Sequence, residues 1–164
     1  MMKNDFINKV FITKTSKETQ KLGYDFGKVL EKGDIVCLYG DLGSGKTTFV
    51  QGLAEGLGIK RRIISPTFII VRSYKVENKK KKDPGQDRMT NNSLLVFYHI
   101  DLYRIESEKD IEGLGIEEIL NDSESIIAIE WAEKLKSSLP EKRIDIKFSY
   151  EKENVRKVAF SLTT

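Results

Sequence analysis

Gly40-Asp41-Leu42-Gly43-Ser44-Gly45-Lys46-Thr47 is the stretch that most limits what this chain can become. The apolar run Ile-Val-Cys-Leu-Tyr (35–39) leads directly into it, and Thr48 and Phe49 continue into a segment with Phe49, Leu53 and Leu57 at helical spacing and Gly58 near its end. A short, wholly apolar run is what a strand buried on both faces of a parallel sheet looks like. The local order is therefore strand, loop, helix, the context that separates a true phosphate loop from a chance match. Glycines at 40, 43 and 45 let the backbone curl so that several N–H groups point inward, and the following helix adds the positive end of its dipole. Asp41, Leu42, Ser44 and Thr48 supply further amides to the same cradle. In a nucleoside triphosphate bound there, Lys46 bridges the β- and γ-phosphates and the Thr47 hydroxyl ligates Mg²⁺. The spacing leaves open where the γ-phosphoryl group goes.

At 164 residues the chain is the size of one domain (1–164) and long enough to bury a core. With 39% hydrophobic and 32% charged residues it has the composition of an ordinary globule. No apolar run approaches the roughly 18 residues of a membrane span. The opening residues lack a long apolar core before a small-residue cleavage site, so no secretory signal is expected. The single cysteine, Cys37, has no partner for an internal disulfide, which fits a reducing cytoplasm, and its apolar neighbours make it a core residue. From Asp101 to Glu133 there are eleven acids and two bases, a net of −9, against +3 for the whole chain. The remainder therefore carries +12. Such asymmetry implies two faces with different electrostatic partners, the acidic one facing outward.

Residues 6–15 are rich in β-branched and aromatic side chains and read as a strand. Ser16 is placed to cap a helix in which Leu22, Phe26, Val29 and Leu30 recur at helical spacing. Residues 65–76 read as a loop into a strand, 93–101 and 125–133 as apolar strands ending in charge, and 108–120 as two short helical pieces broken at Gly113 and Gly115. The alternating runs 143–150 and 155–162, bridged by polar residues, predict a closing antiparallel hairpin. Residues 77–93 contain a lysine run and no apolar periodicity, and are expected to form a flexible basic hairpin loop. The expected architecture is α/β: a P-loop NTPase-like three-layer sandwich with a mostly parallel central sheet and an antiparallel C-terminal hairpin.

A phosphate loop needs a second acid for Mg²⁺, usually at the carboxyl end of a neighbouring strand. Asp101 and Glu130 each end an apolar run, and in a parallel sheet both emerge at the edge where the loop sits. Either can ligate the metal while the other orients the attacking group. Pro66 holds Ser65 extended, so Thr67 is set where it can sense the γ-phosphate. His99 shares the strand face of Asp101 and reads as a structural hydrogen-bonding group, since phosphoryl transfer demands little base catalysis. Trp131, the one tryptophan, is open to core packing or base stacking.

"GDLGSGKTTF", "SPTF", "YHIDLYR" and "IEWAEKL", in this order and at these intervals, resemble the bacterial TsaE family. The resemblance runs from about Ser16 to the terminal hairpin. It implies an ATPase of tRNA threonylcarbamoyladenosine biosynthesis, slow alone, with ATP and Mg²⁺ as cofactors. It implies two partner subunits, a threonylcarbamoyl transferase and its inactive paralogue (TsaD and TsaB type), which act on adenosine 37 of tRNA while the ATPase resets the complex between turnovers. Carried over residue by residue, Thr47 and Glu130 match Mg²⁺ positions, Asp101 and Thr67 match residues needed for hydrolysis, and Trp131 matches the tryptophan after the metal acid. Ser16 and Arg156 fall near family nucleotide contacts. This chain departs from the family in a longer, more basic linker between "VRSY" and "YHIDLYR".

The alternative, a small nucleotide or metabolite kinase on the same loop, needs an acceptor pocket and usually an arginine-bearing lid, for which the basic "IKRRI" (59–63) leaves room without marking one. A GTPase would need a guanine-reading Asn/Thr-Lys-x-Asp stretch, for which "KKKD" (80–83) lacks the first residue. No platform of interleaved aromatic and basic residues marks a stand-alone nucleic-acid binder.

Overall fold

A computed structural model describes residues 1–61, 63, 70–76 and 95–164 of the chain. Seven strands form one sheet: β1 (Val10–Thr13), β2 (Ile35–Tyr39), β3 (Val71–Val76), β4 (Leu95–Asp101), β5 (Ser125–Glu130), β6 (Arg143–Lys152) and β7 (Val155–Thr163). Their spatial order is β1-β7-β6-β2-β5-β4-β3. The four central strands β6, β2, β5 and β4 are parallel. The expected antiparallel hairpin closes one side, where β7 pairs with β6 and β1 with β7. The opposite edge is antiparallel as well, because β3 returns against β4 with Arg72 facing His99 in register.

Alternation along the buried strands divides the core into two layers. Val36, Leu38, Ile126 and Ala128 point to one face, under helices α1 (Ser16–Gly27) and α2 (Lys46–Gly56). Ile35, Cys37, Ile127 and Ile129 point to the other, under α3 (Ile116–Leu120) and the 3₁₀ segment Ala132–Ser138. Two buried faces explain why β2 and β5 read as unbroken apolar runs. Cys37 is fully buried, and burial pushes its thiol up to about 12, as suits a core residue rather than a nucleophile.

Two local expectations are corrected. The strand foreseen over residues 6–15 is only Val10–Thr13, because the chain turns at Asn8 (φ 58°) and drops Phe6 into the core, against Phe26 and Phe160. The cap of α1 is Thr15, not Ser16. Thr15 Oγ1 accepts from Glu18 N at 3.1 Å while the Glu18 carboxylate accepts from Lys14 N, so Ser16 is already helical. Ser65, Pro66, Thr67 and the basic segment 77–93 lie outside the described residues.

α1 and α2 meet backbone to backbone. A methyl group on Gly52 would lie 1.9 Å from Gln20 O, on Gly56 2.2 Å from Tyr24 O, on Gly23 2.1 Å from Phe49 O, and on Gly27 2.2 Å from Leu53 O. Helix propensity alone would favour Gly52→Ala by about 1 kcal/mol. Overpacking against rigid backbone costs about 3 kcal/mol. The expected result is a net loss of about 2 kcal/mol, read as a fall of roughly 4–8 °C in melting temperature. A gain in stability would show that the helices are further apart than this.

Candidate active site

The phosphate loop leaves the carboxyl end of β2. Gly40, Gly43 and Gly45 all take positive φ, 137°, 76° and 106°, a left-handed path that side chains with a Cβ avoid. Gly40 also lies where a methyl would stand 2.5 Å from Phe148 O, so both conformation and space require glycine there. Gly45 is the N-cap of α2 and carries no side chain to cap it, so the first-turn N–H groups stay available to a ligand. Ser44 is buried in the loop, whereas Asp41 and Leu42 form its exposed tip. Thr48 follows in the first turn of α2.

Lys46 is 4% exposed and lies inside the loop, donating to Gly40 O (2.5 Å) and Asp41 O (2.9 Å). Its ammonium stands 4.0 Å from the centroid of the Trp131 ring. Burial holds its pKa below the ordinary lysine value, against the opposing pull of Glu130, Glu133, Asp101 and Asp41. A buried cation whose close partners are neutral oxygens and a π face is prepared for an anion.

Glu130, 2% exposed, is held from two sides. Thr47 Oγ1 donates to its Oε2 at 2.8 Å, and His99 Nε2 lies 2.9 Å from its Oε1. Asp101 is the in-register neighbour of Glu130, and its carboxylate accepts from Tyr103 N at 3.0 Å. Thr47, Glu130 and Asp101 thus come together at the strand ends, as expected. Among the described residues no group of three or more His, Cys, Asp or Glu side chains could hold a metal alone. A hydroxyl and carboxylates beside a phosphate cradle fit Mg²⁺, which takes one or two carboxylates and completes its shell with phosphate and water oxygens.

Trp131 sits in a left-handed conformation (φ 60°) right after Glu130, with its N–H bonded to Leu38 O. This turn lays its ring over Lys46 and 5.3 Å from the Tyr103 ring. Lys134 then ties the 103–105 segment down by donating to Tyr103 O and Ile105 O. The tryptophan therefore belongs to the site rather than to the deep core.

Arg156 reaches the loop through a neighbour. Its guanidinium lies 4.3 Å from the centroid of the Tyr150 ring, and Tyr150 OH donates to Leu42 O at 3.2 Å. Arg156 Nη1 is buried with no hydrogen-bond partner among the described residues. Ser16 is exposed at the start of α1, one turn before Thr19. Thr19 comes to the loop itself: a methyl on Gly45 would be 3.5 Å from Thr19 Cγ2, and its hydroxyl pairs with that of Thr13 at 2.8 Å. Tyr150, Thr19 and Lys134 were not foreseen as site residues; isolated polar residues carry no spacing that separates them from surface positions.

The profile of the family described as "Threonylcarbamoyl adenosine biosynthesis protein TsaE" matches residues 13–158. Relatives named tRNA threonylcarbamoyladenosine biosynthesis protein TsaE include that of Bacillus subtilis, 34% identical over 149 residues, covering 91% of this chain and 82% of the relative. That of Borreliella burgdorferi is 41% identical over 131 residues, covering 80% and 83%. Among solved structures, Bacillus subtilis YdiB superposes with a TM-score of 0.68 at 27% identity, covering 95% of this chain and 86% of that one.

Proposed function

Because the chain belongs to the TsaE family, we propose that it is a Mg²⁺-dependent ATPase serving the threonylcarbamoylation of adenosine 37 in tRNA. The observation that carries this reading is the oxygen set Thr47, Glu130 and Asp101 at the mouth of a glycine loop whose helix amides are uncapped.

The loop amides of residues 40–48 bind the phosphates, and Lys46 leaves its loop carbonyls to bridge the β- and γ-phosphates. Thr47 and Glu130 would hold Mg²⁺, which would supply positive charge against the phosphate oxygens. Asp101 orients the attacking water, aided by Thr67. Trp131 closes over the Lys46 side of the site and excludes solvent, while Arg156 and Ser16 contact the nucleotide from the terminal hairpin and α1. The reaction needs positioning and charge neutralisation far more than a strong base.

Its partners are a threonylcarbamoyl transferase subunit and its inactive paralogue, with tRNA reached through that complex. The compartment is the cytoplasm. Among the described residues no helix is long and apolar enough to cross a membrane. Slow turnover alone implies a group supplied in trans, so partner binding should raise the rate.

The test is phosphate release from ATP by the purified chain, alone and then with the two subunits and tRNA. Mg²⁺-dependent release that the partners stimulate is the expected result. Transfer of the labelled phosphate to a metabolite, with no stimulation, would make the chain a kinase instead.

A further inference from the structure

His99 occupies a place in the site that the family resemblance left without a role. It is 0% exposed, lies two residues before Asp101 on β4, and shares with Asp101 the sheet face covered by α2. Its Nε2 meets Glu130 Oε1 at 2.9 Å, while Thr47 Oγ1 takes the other oxygen at 2.8 Å. Nδ1 is buried with no hydrogen-bond partner among the described residues. A buried N–H without an acceptor is costly, so Nε2 carries the hydrogen and donates it to Glu130.

We propose that His99 is a positioning residue: its Nε2–H pins Oε1 of Glu130, fixing the carboxylate plane so that Oε2 stays turned toward Thr47 Oγ1, the two oxygens that would take up Mg²⁺. The inference rests on the reading of Glu130 as metal acid. Without His99 the carboxylate could rotate about its last torsion, a broad and nearly free one, and only Thr47 would restrain it. Partners behind a metal ligand typically contribute 10–100-fold in metal affinity.

The probe is a non-hydrolysable ATP analogue, bound in chelator and then titrated with Mg²⁺, so that metal dependence is read without turnover. His99→Gln carries an amide N–H to about the reach of Nε2, whereas His99→Asn reaches only to Nδ1. The expected result is a wild-type Mg²⁺ midpoint for His99→Gln and a midpoint raised about tenfold or more for His99→Asn. Binding in chelator and the melting temperature should be the same in both variants. A wild-type midpoint in His99→Asn overturns the inference. So does an equal loss of metal-free affinity in both variants, which would mark His99 as a packing residue only. Binding by the wild-type protein that ignores Mg²⁺ altogether would instead overturn the reading of Glu130, and the inference with it.

Discussion

Lys46→Ala is expected to weaken nucleotide binding about a thousandfold. Each charge-assisted hydrogen bond to a phosphate oxygen contributes about 1.5–3 kcal/mol, and in the proposed function Lys46 makes two, one to each of the terminal phosphates. A loss of about 4 kcal/mol is roughly three decades in dissociation constant. The folded chain itself should lose little. Burial already disfavours the charged form of Lys46 by more than Glu130, Glu133, Asp101 and Asp41 favour it, and its hydrogen bonds go to the neutral oxygens of Gly40, Asp41 and Ser44. Calorimetric titration with ATP, beside a thermal melt, checks both halves. Lys46→Arg should fail to rescue, because a planar guanidinium does not fit between the loop carbonyls and an indole 4.0 Å from the ammonium. Tight binding by Lys46→Ala would remove the loop as the phosphate site.

The second large effect falls on Glu130. Glu130→Ala should retain metal-free nucleotide binding, since the loop amides and Lys46 are untouched, but lose Mg²⁺-dependent hydrolysis by about 10²–10³-fold, the cost of removing one electrostatic stabiliser. It also leaves Thr47 Oγ1 and His99 Nε2 without their shared acceptor, at about 1–3 kcal/mol of stability. Glu130→Gln separates the two consequences, because its amide keeps an acceptor oxygen while removing the charge. It should fold normally and still hydrolyse poorly. Normal Mg²⁺-dependent hydrolysis by Glu130→Ala would shift the metal role to Asp101.

Much of this site was legible beforehand because its parts obey fixed spacings. A buried parallel strand, three glycines and a Lys-Thr pair prescribe a loop conformation, and an acid ending each neighbouring apolar run must emerge beside it. Glu130 and Asp101 are therefore in-register neighbours. The core assignment of Cys37 followed from the same apolar context.

What escaped depends on three-dimensional proximity that no period encodes. The crossing of α1 and α2 rests on Gly23, Gly27, Gly52 and Gly56, two pairs four residues apart whose significance appears only when the backbones approach. The cap went to Thr15 because Thr15 and Ser16 are both good capping residues, and it is the Thr15 hydroxyl that takes the Glu18 N–H, with the Glu18 carboxylate reaching back to Lys14 N. The left-handed turn at Trp131 had no glycine to announce it. Yet it decides that the ring covers Lys46 while packing, half-buried, against the edge of the apolar layer. Tyr150 meets Leu42 across more than a hundred residues, set by the register of β6 beside β2.

The most direct measurement is the amount of threonylcarbamoyladenosine formed per complex when the transferase, its paralogue, tRNA and the threonylcarbamoyl donor are combined with ATP and either the wild-type chain or Lys46→Ala. The account predicts repeated turnovers with the wild-type chain and about one modification per complex with the variant, as expected if nucleotide hydrolysis resets the complex. Equal multiple turnover with Lys46→Ala, or with the chain omitted, would contradict it.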